Sequence, residues 1–158
     1  MRVPIAILTF LFFTQCKPID LYERTIDIPQ HQWQSDFVPA CTFQLADTQA
    51  LYQASLILRH THLYPFNNIW LEIQVEAPDT LYTFRTEQVL GNNEQGWLGT
   101  GTYDVYEHRI PLNNELNKAG VSFRRSGSYT FRLKQIMRED PLPEVLQAGI
   151  RIERKRGG

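Results

Sequence analysis

The stretch Ile69-Trp70-Leu71-Glu72-Ile73-Gln74-Val75-Glu76 alternates apolar and polar side chains without a break. Successive side chains of an extended strand point to opposite faces. A period of two therefore puts Ile69, Leu71, Ile73 and Val75 on one face and Trp70, Glu72, Gln74 and Glu76 on the other. The same alternation recurs over 51–59, with Tyr52, Ala54, Leu56 and Leu58 on one side, and over 128–134, with Tyr129, Phe131 and Leu133. A last strand carries Ala148, Ile150 and Ile152 inward, with Arg151 and Glu153 outward. Weaker strand signals occupy 21–28, 40–45, 81–87 and 103–110. Short strands with half-polar faces, and no long amphipathic helix between them, favour an all-β fold, an antiparallel β-sandwich of about eight short strands, over an α/β arrangement. Helix is confined to a turn or two at 113–120, with Asn at the start and Gly at the stop, and another around 142–146 capped by Asp140-Pro141.

The chain has 158 residues, the size of one domain with one core, able to bury about two-thirds of its extended surface. With 42% hydrophobic residues and 17 acidic against 16 basic side chains, it is neither a disordered polymer nor a polycation, and no nucleic-acid partner is expected. Met1-Arg2 precedes an apolar run from Val3 to Phe13, interrupted by Pro4 and Thr9. That run is too short to span a bilayer, which takes about 20 apolar residues, but suits the apolar region of an export signal.

Cys16 follows the run directly, where a bacterial lipoprotein carries its lipidated cysteine. One acyl chain holds only marginally, at about 0.8 kcal/mol per buried CH2, so two or three chains are needed for lasting attachment. Phe13 and Gln15 replace the usual aliphatic and small residues of the cleavage box. The expected organisation is a lipoprotein signal peptide at 1–15, a lipidated tether at 16–20, one β-sandwich domain at 21–153 and a solvated basic tail at 154–158. With Cys16 lipidated, Cys41 has no disulfide partner and is expected as a small core hydrophobe; no Cys-x-x-Cys pair suggests a metal.

The most enzyme-like stretch is 90–104, with Gly96, Gly99 and Gly101. A phosphate loop needs a helix after its glycines, and a strand follows here, so a tight connection with Trp97 packed on a sheet is the better reading. Asn92, Asn93, Glu94 and Asp104 match no calcium loop. His60 and His62, two apart, would share a strand face and could begin a zinc site, but surface or loop-end histidines are the simpler expectation. Ser126, between Arg125 and Gly127, lacks a nucleophile elbow and reads as a hairpin turn. No catalytic residue, cofactor or metal is expected.

The aromatics say more. In His60-Thr61-His62-Leu63-Tyr64-Pro65-Phe66-Asn67-Asn68-Ile69-Trp70, a Pro and Asn turn brings Tyr64 and Phe66 toward Trp70, whose parity points away from the aliphatic face. Tyr64, Phe66, Trp70 and Trp97 form the candidate interaction surface, for a protein partner or, with Tyr64, Phe66 and Trp70 as a stacking platform, for a glycan.

Several motifs occur in a fixed order: 64–71 (Tyr-Pro-Phe-Asn-Asn-Ile-Trp-Leu), 96–101 (Gly-Trp-Leu-Gly-Thr-Gly), 127–131, 135–138 with Leu142, and 149–153, preceded by Trp33 and Arg59. Together, after a lipoprotein signal, they resemble the gliding-motility lipoprotein GldH family of Bacteroidetes across nearly the whole mature chain. The resemblance implies a membrane-anchored, non-catalytic envelope component with other motility proteins and their secretion apparatus as neighbours. The implied location is the periplasmic side of a membrane, the outer rather than the inner. Only Cys16 carries over, as the lipid attachment point.

Overall fold

The computed structural model describes residues 21–155; the expected signal peptide, Cys16 and the tether lie outside them. The eight expected strands are β1 (Leu21–Asp27), β3 (Ala40–Leu45), β4 (Leu51–Thr61), β5 (Asn68–Glu76), β6 (Leu81–Val89), β10 (Val105–Pro111), β11 (Gly127–Gln135) and β13 (Val145–Lys155). Short strands fill the sequence gaps: β2 (Gln32–Trp33), β7 (Gly91–Asn92), β8 (Gly96–Trp97), β9 (Thr100–Thr102) and β12 (Leu142–Pro143). One five-stranded sheet runs β1-β13-β4-β10-β9 and a four-stranded sheet runs β3-β11-β5-β6, every pairing antiparallel.

The core lies between the two sheets and follows the alternation. Ile69, Leu71, Ile73 and Val75 of β5, with Tyr129, Phe131 and Leu133 of β11, meet Ala54, Leu56 and Leu58 of β4 and Ala148, Ile150 and Ile152 of β13, all fully buried. Burial of a Leu, Ile or Phe side chain is worth about 1.5–3 kcal/mol, which makes this interface the main source of stability.

One side of the sandwich is sealed. There β1 and β3, edges of opposite sheets, approach until Cys41 Sγ donates to the Arg24 carbonyl at 3.3 Å. Cys41 is buried as expected, and burial pushes its thiol pKa up. The other side, between β6 and β10, is partly closed by helix α1 (Asn113–Ala119), which inserts Leu116 and stops at Gly120 in the left-handed conformation, φ 82°. Asn113 does not cap its helix: its Oδ1 accepts from the Ala54 N–H at 3.2 Å and ties α1 to β4.

Three local expectations fail for tertiary reasons. No helix forms at 142–146, because the Asp140 carboxylate, expected as its cap, accepts instead from Ser35 N–H at 2.9 Å and Ser35 Oγ–H at 2.5 Å, drawing Leu142 into register with Trp33. Residues 125–127 are not a hairpin turn but the approach from α1 to β11, held by Arg125 and Asp79 at 2.9 Å. Arg154 and Lys155, expected in a solvated tail, extend β13 opposite Tyr52 and Leu51, and Arg154 pairs with Asp47 at 2.9 Å.

Candidate interaction surface

The four aromatics proposed as one surface divide between two places. Tyr64 is only 3% exposed, and its hydroxyl donates to the Asn68 carbonyl at 3.0 Å. It belongs to an interior cluster with His60, His108, Trp97 and Tyr106, in which the Trp97 ring centroid lies 4.4 Å from that of His60. The expectation of an accessible Tyr64 is therefore corrected: the turn after β4 folds its ring inward, and its desolvated hydroxyl has a raised pKa. Trp97 is half-buried against the same cluster, as the tight-connection reading required.

At the centre is a histidine pair that the sequence did not suggest. His60 and His62 part company, His62 remaining exposed 3.6 Å from Asp104 while His60 is buried. His60 Nδ1 lies 2.7 Å from the Thr61 carbonyl, which can only accept, so Nδ1 carries the hydrogen and Nε2 bears a lone pair. That lone pair receives the Nε2–H of His108 at 2.9 Å. The two rings are 18° from parallel with centroids 5.0 Å apart, a head-to-head pair of neutral imidazoles. Burial lowers both pKa values, that of His108 to about 4 with His60 adding to the shift. Among the described residues no group of three or more His, Cys, Asp or Glu side chains could hold a metal.

The glycine stretch serves this cluster. A Cβ at Gly99 would stand 2.6 Å from the Glu107 carbonyl and 2.9 Å from the His108 ring, and one at Gly101 would stand 2.9 Å from Tyr106. Gly96 supplies a φ of +70° in the turn, where Asn92 Oδ1 accepts from the N–H groups of Glu94 and Gln95 at 3.0 and 2.7 Å. That side-chain oxygen is used in turn formation, as expected over calcium binding.

Phe66 and Trp70 are brought together. With Asn68, Ile136, Met137 and Arg138 they line an open groove of about 390 Å³. Trp70 is 41% exposed, on the outer face of β5 as its parity required. Its backbone is pinned by the chain leaving β11: Ile136 N–H donates to the Trp70 carbonyl at 3.0 Å, and Trp70 N–H meets Met137 Sδ at 3.2 Å. Phe66 packs edge-on to Tyr64 at 5.9 Å, so the groove rests on the interior cluster. Met137 is the groove residue that sequence reasoning missed, since its approach depends on the β5–β11 register.

Arg59 organises the opposite surface. Its guanidinium meets Glu107 at 2.6 Å and also donates to Gln147, while Glu107 bonds Arg109 at 2.7 Å. Burial alone would raise the Glu107 carboxyl, but hydrogen bonds from Arg59 and Arg109 hold its pKa below the ordinary value.

These features define an antiparallel β-sandwich domain with a neutral, enclosed histidine pair and an exposed groove built on Phe66, Trp70 and Met137. The family model described as GldH lipoprotein matches residues 20–152, and the chain belongs to that family. It is 28% identical over 131 residues to the gliding motility lipoprotein GldH of Flavobacterium johnsoniae, covering 78% of each chain. It is 26% identical over 160 residues to a gliding motility lipoprotein GldH homolog of Christiangramia forsetii, covering 95% of this chain and 93% of the relative. No solved structure matches. No helix among the described residues is long and apolar enough to cross a membrane.

Proposed function

We propose that the chain is a lipid-anchored envelope protein whose sandwich domain, without catalysis, holds another protein of the motility and associated secretion machinery at the Phe66–Trp70 groove. Residues 1–15 act as the export signal, Cys16 carries the lipid, 16–20 form the tether, and the anchor holds the domain on the periplasmic side, at the outer rather than the inner membrane. What supports the reading is membership of a family named for gliding-motility lipoproteins together with the apolar run from Val3 to Phe13 that precedes Cys16.

The observation that carries the binding claim is Trp70. An indole left 41% exposed beside Phe66 and Met137, on a strand whose other face is fully buried, is a large apolar anchor held on a rigid backbone. The glycan alternative loses one of its three platform rings, because Tyr64 is interior. Removing a central interface Trp costs about 2 kcal/mol or more, about a thirtyfold loss of affinity. Co-purification from detergent-extracted membranes tests this: Trp70→Ala should lose most of the envelope proteins recovered with the wild type, and Leu51→Ala, exposed on the other sheet, should keep them. Equal recovery by Trp70→Ala would remove the groove as the contact.

A further inference from the structure

The free edge of the four-stranded sheet has a self-complementary pattern. Of the sandwich's four edge strands, β1 and β3 seal one side against each other, and β9 is only three residues long, pairing with residues 105–107 of β10 and leaving a short open stretch before Pro111. The remaining edge is β6, nine residues long; among the described residues no strand pairs with it, and α1 lies beside it across an open cleft of about 620 Å³ that Glu115, Lys118 and Ala119 help to line.

Its open groups can be assigned from the ladder. Leu90 N–H donates to the Asn67 carbonyl at 2.7 Å and Ala77 N–H to the Thr80 carbonyl at 2.9 Å. The hydrogen-bonded pairs with β5 therefore fall on Ile69 and Gln88, Leu71 and Thr86, Ile73 and Phe84, and Val75 and Tyr82. Leu81, Thr83, Arg85, Glu87 and Val89 turn their N–H and C=O groups away from β5, and the side chains of all five are exposed. These residues are symmetric about Arg85. Two antiparallel copies sharing a twofold axis at Arg85 set Leu81 opposite Val89 and Thr83 opposite Glu87.

Leu81 and Val89 are 59% and 58% exposed, so the apolar ends that this alignment covers are otherwise left in water. Arg85 faces its own copy, but each Arg85 is bonded to Glu72 at 3.0 Å and lies diagonal to the copy's Glu87. Natural sheets seldom leave so long an edge without a pairing strand, because its unpaired groups template strand addition. We infer that β6 is a self-association edge: a second copy of this chain adds antiparallel across it, centred on Arg85, to make one continuous eight-stranded sheet. Attachment of both copies to one membrane would confine them in two dimensions and raise their effective concentration, so the contact need not be tight in dilute solution.

Residues directly opposite in a hydrogen-bonded antiparallel pair have Cα atoms about 5.5 Å apart, inside the range a disulfide spans. The full-length chain carrying Arg85→Cys, oxidised with copper phenanthroline in native membranes, should convert to a covalent homodimer, while Gln44→Cys on β3 stays monomeric. Cys41 is buried and does not compete. As a second register check that retains Arg85, co-expressed Thr83→Cys and Glu87→Cys chains should cross-link to each other. Folded Arg85→Cys that stays monomeric, that couples only to a different protein, or that cross-links no better than Gln44→Cys would overturn the second-copy assignment.

Discussion

Acidification should weaken the fold through the buried histidine pair, by an amount that follows from its geometry. His60 and His108 share one hydrogen between their Nε2 atoms, and the rings packed on His60 are the aromatics Tyr64, Trp97 and Tyr106, none of them a carboxylate, so a proton added to either ring meets no counter-ion there. Glu107 and Arg109 flank His108 along β10 but have the opposite strand parity. His108 titrates near 6.5 when unfolded and at about 4 when folded. Well above pH 6.5 neither state is protonated and the histidine contributes no pH dependence. As pH falls below 6.5 the unfolded chain takes up a proton that the folded chain refuses, so stability drops until pH reaches about 4 and then levels. Integrating between those two values gives a loss of about 2 kcal/mol at pH 5 and about 3 kcal/mol at pH 4 from His108, with the lowered His60 adding in the same direction. Urea unfolding at pH 7, 6 and 5 measures this directly. His108→Gln, whose amide can still donate to His60 Nε2, should lose about 2 kcal/mol less than the wild type between pH 7 and 5, while the exposed histidines cancel in the comparison. Parallel pH profiles for the two proteins would refute the neutral-pair assignment.

A tight crossing supplies a further stability test. A Cβ on Gly149 would stand 2.1 Å from the Arg24 carbonyl and 2.6 Å from Thr25 Cα, both backbone, where β13 pairs with β1. Gly149→Ala should therefore cost about 1–3 kcal/mol through forced separation of the two strands, seen as a lower urea midpoint; an unchanged midpoint would show that β1 yields freely.

The strands were legible wherever their two faces differ in environment. In β5 one face is core and the other solvent, so alternation of Ile, Leu, Ile and Val with polar residues marks both the strand and the outward Trp70. In β4, a central strand, Ile57 on the outer face is fully buried between Arg109 and Gly149 in register. Ser55 on that face is buried as well, so burial in the middle of β4 does not alternate, whereas His60 keeps the inward parity of Leu56 and Leu58 one step past the expected end of the strand. The histidine pair joins residues 48 positions apart through strand register, which local spacing cannot encode. Asp140-Pro141 illustrates the same limit: a good local cap was taken up by Ser35, 105 residues away. Of the aromatic surface, strand parity placed Trp70 correctly, but Tyr64 sits in a turn, where no periodicity fixes direction. For β10, the inward parity of Tyr106 and His108 was the available clue to the interior cluster.

The anchoring claim rests on Cys16, and metabolic labelling with a fatty acid such as palmitate tests it most directly. The wild-type chain should carry the label and sediment with membranes, whereas Cys16→Ser should be unlabelled and released from them. Equal labelling of the two proteins would contradict attachment at Cys16 and, with it, the account of this chain as a lipid-anchored envelope protein.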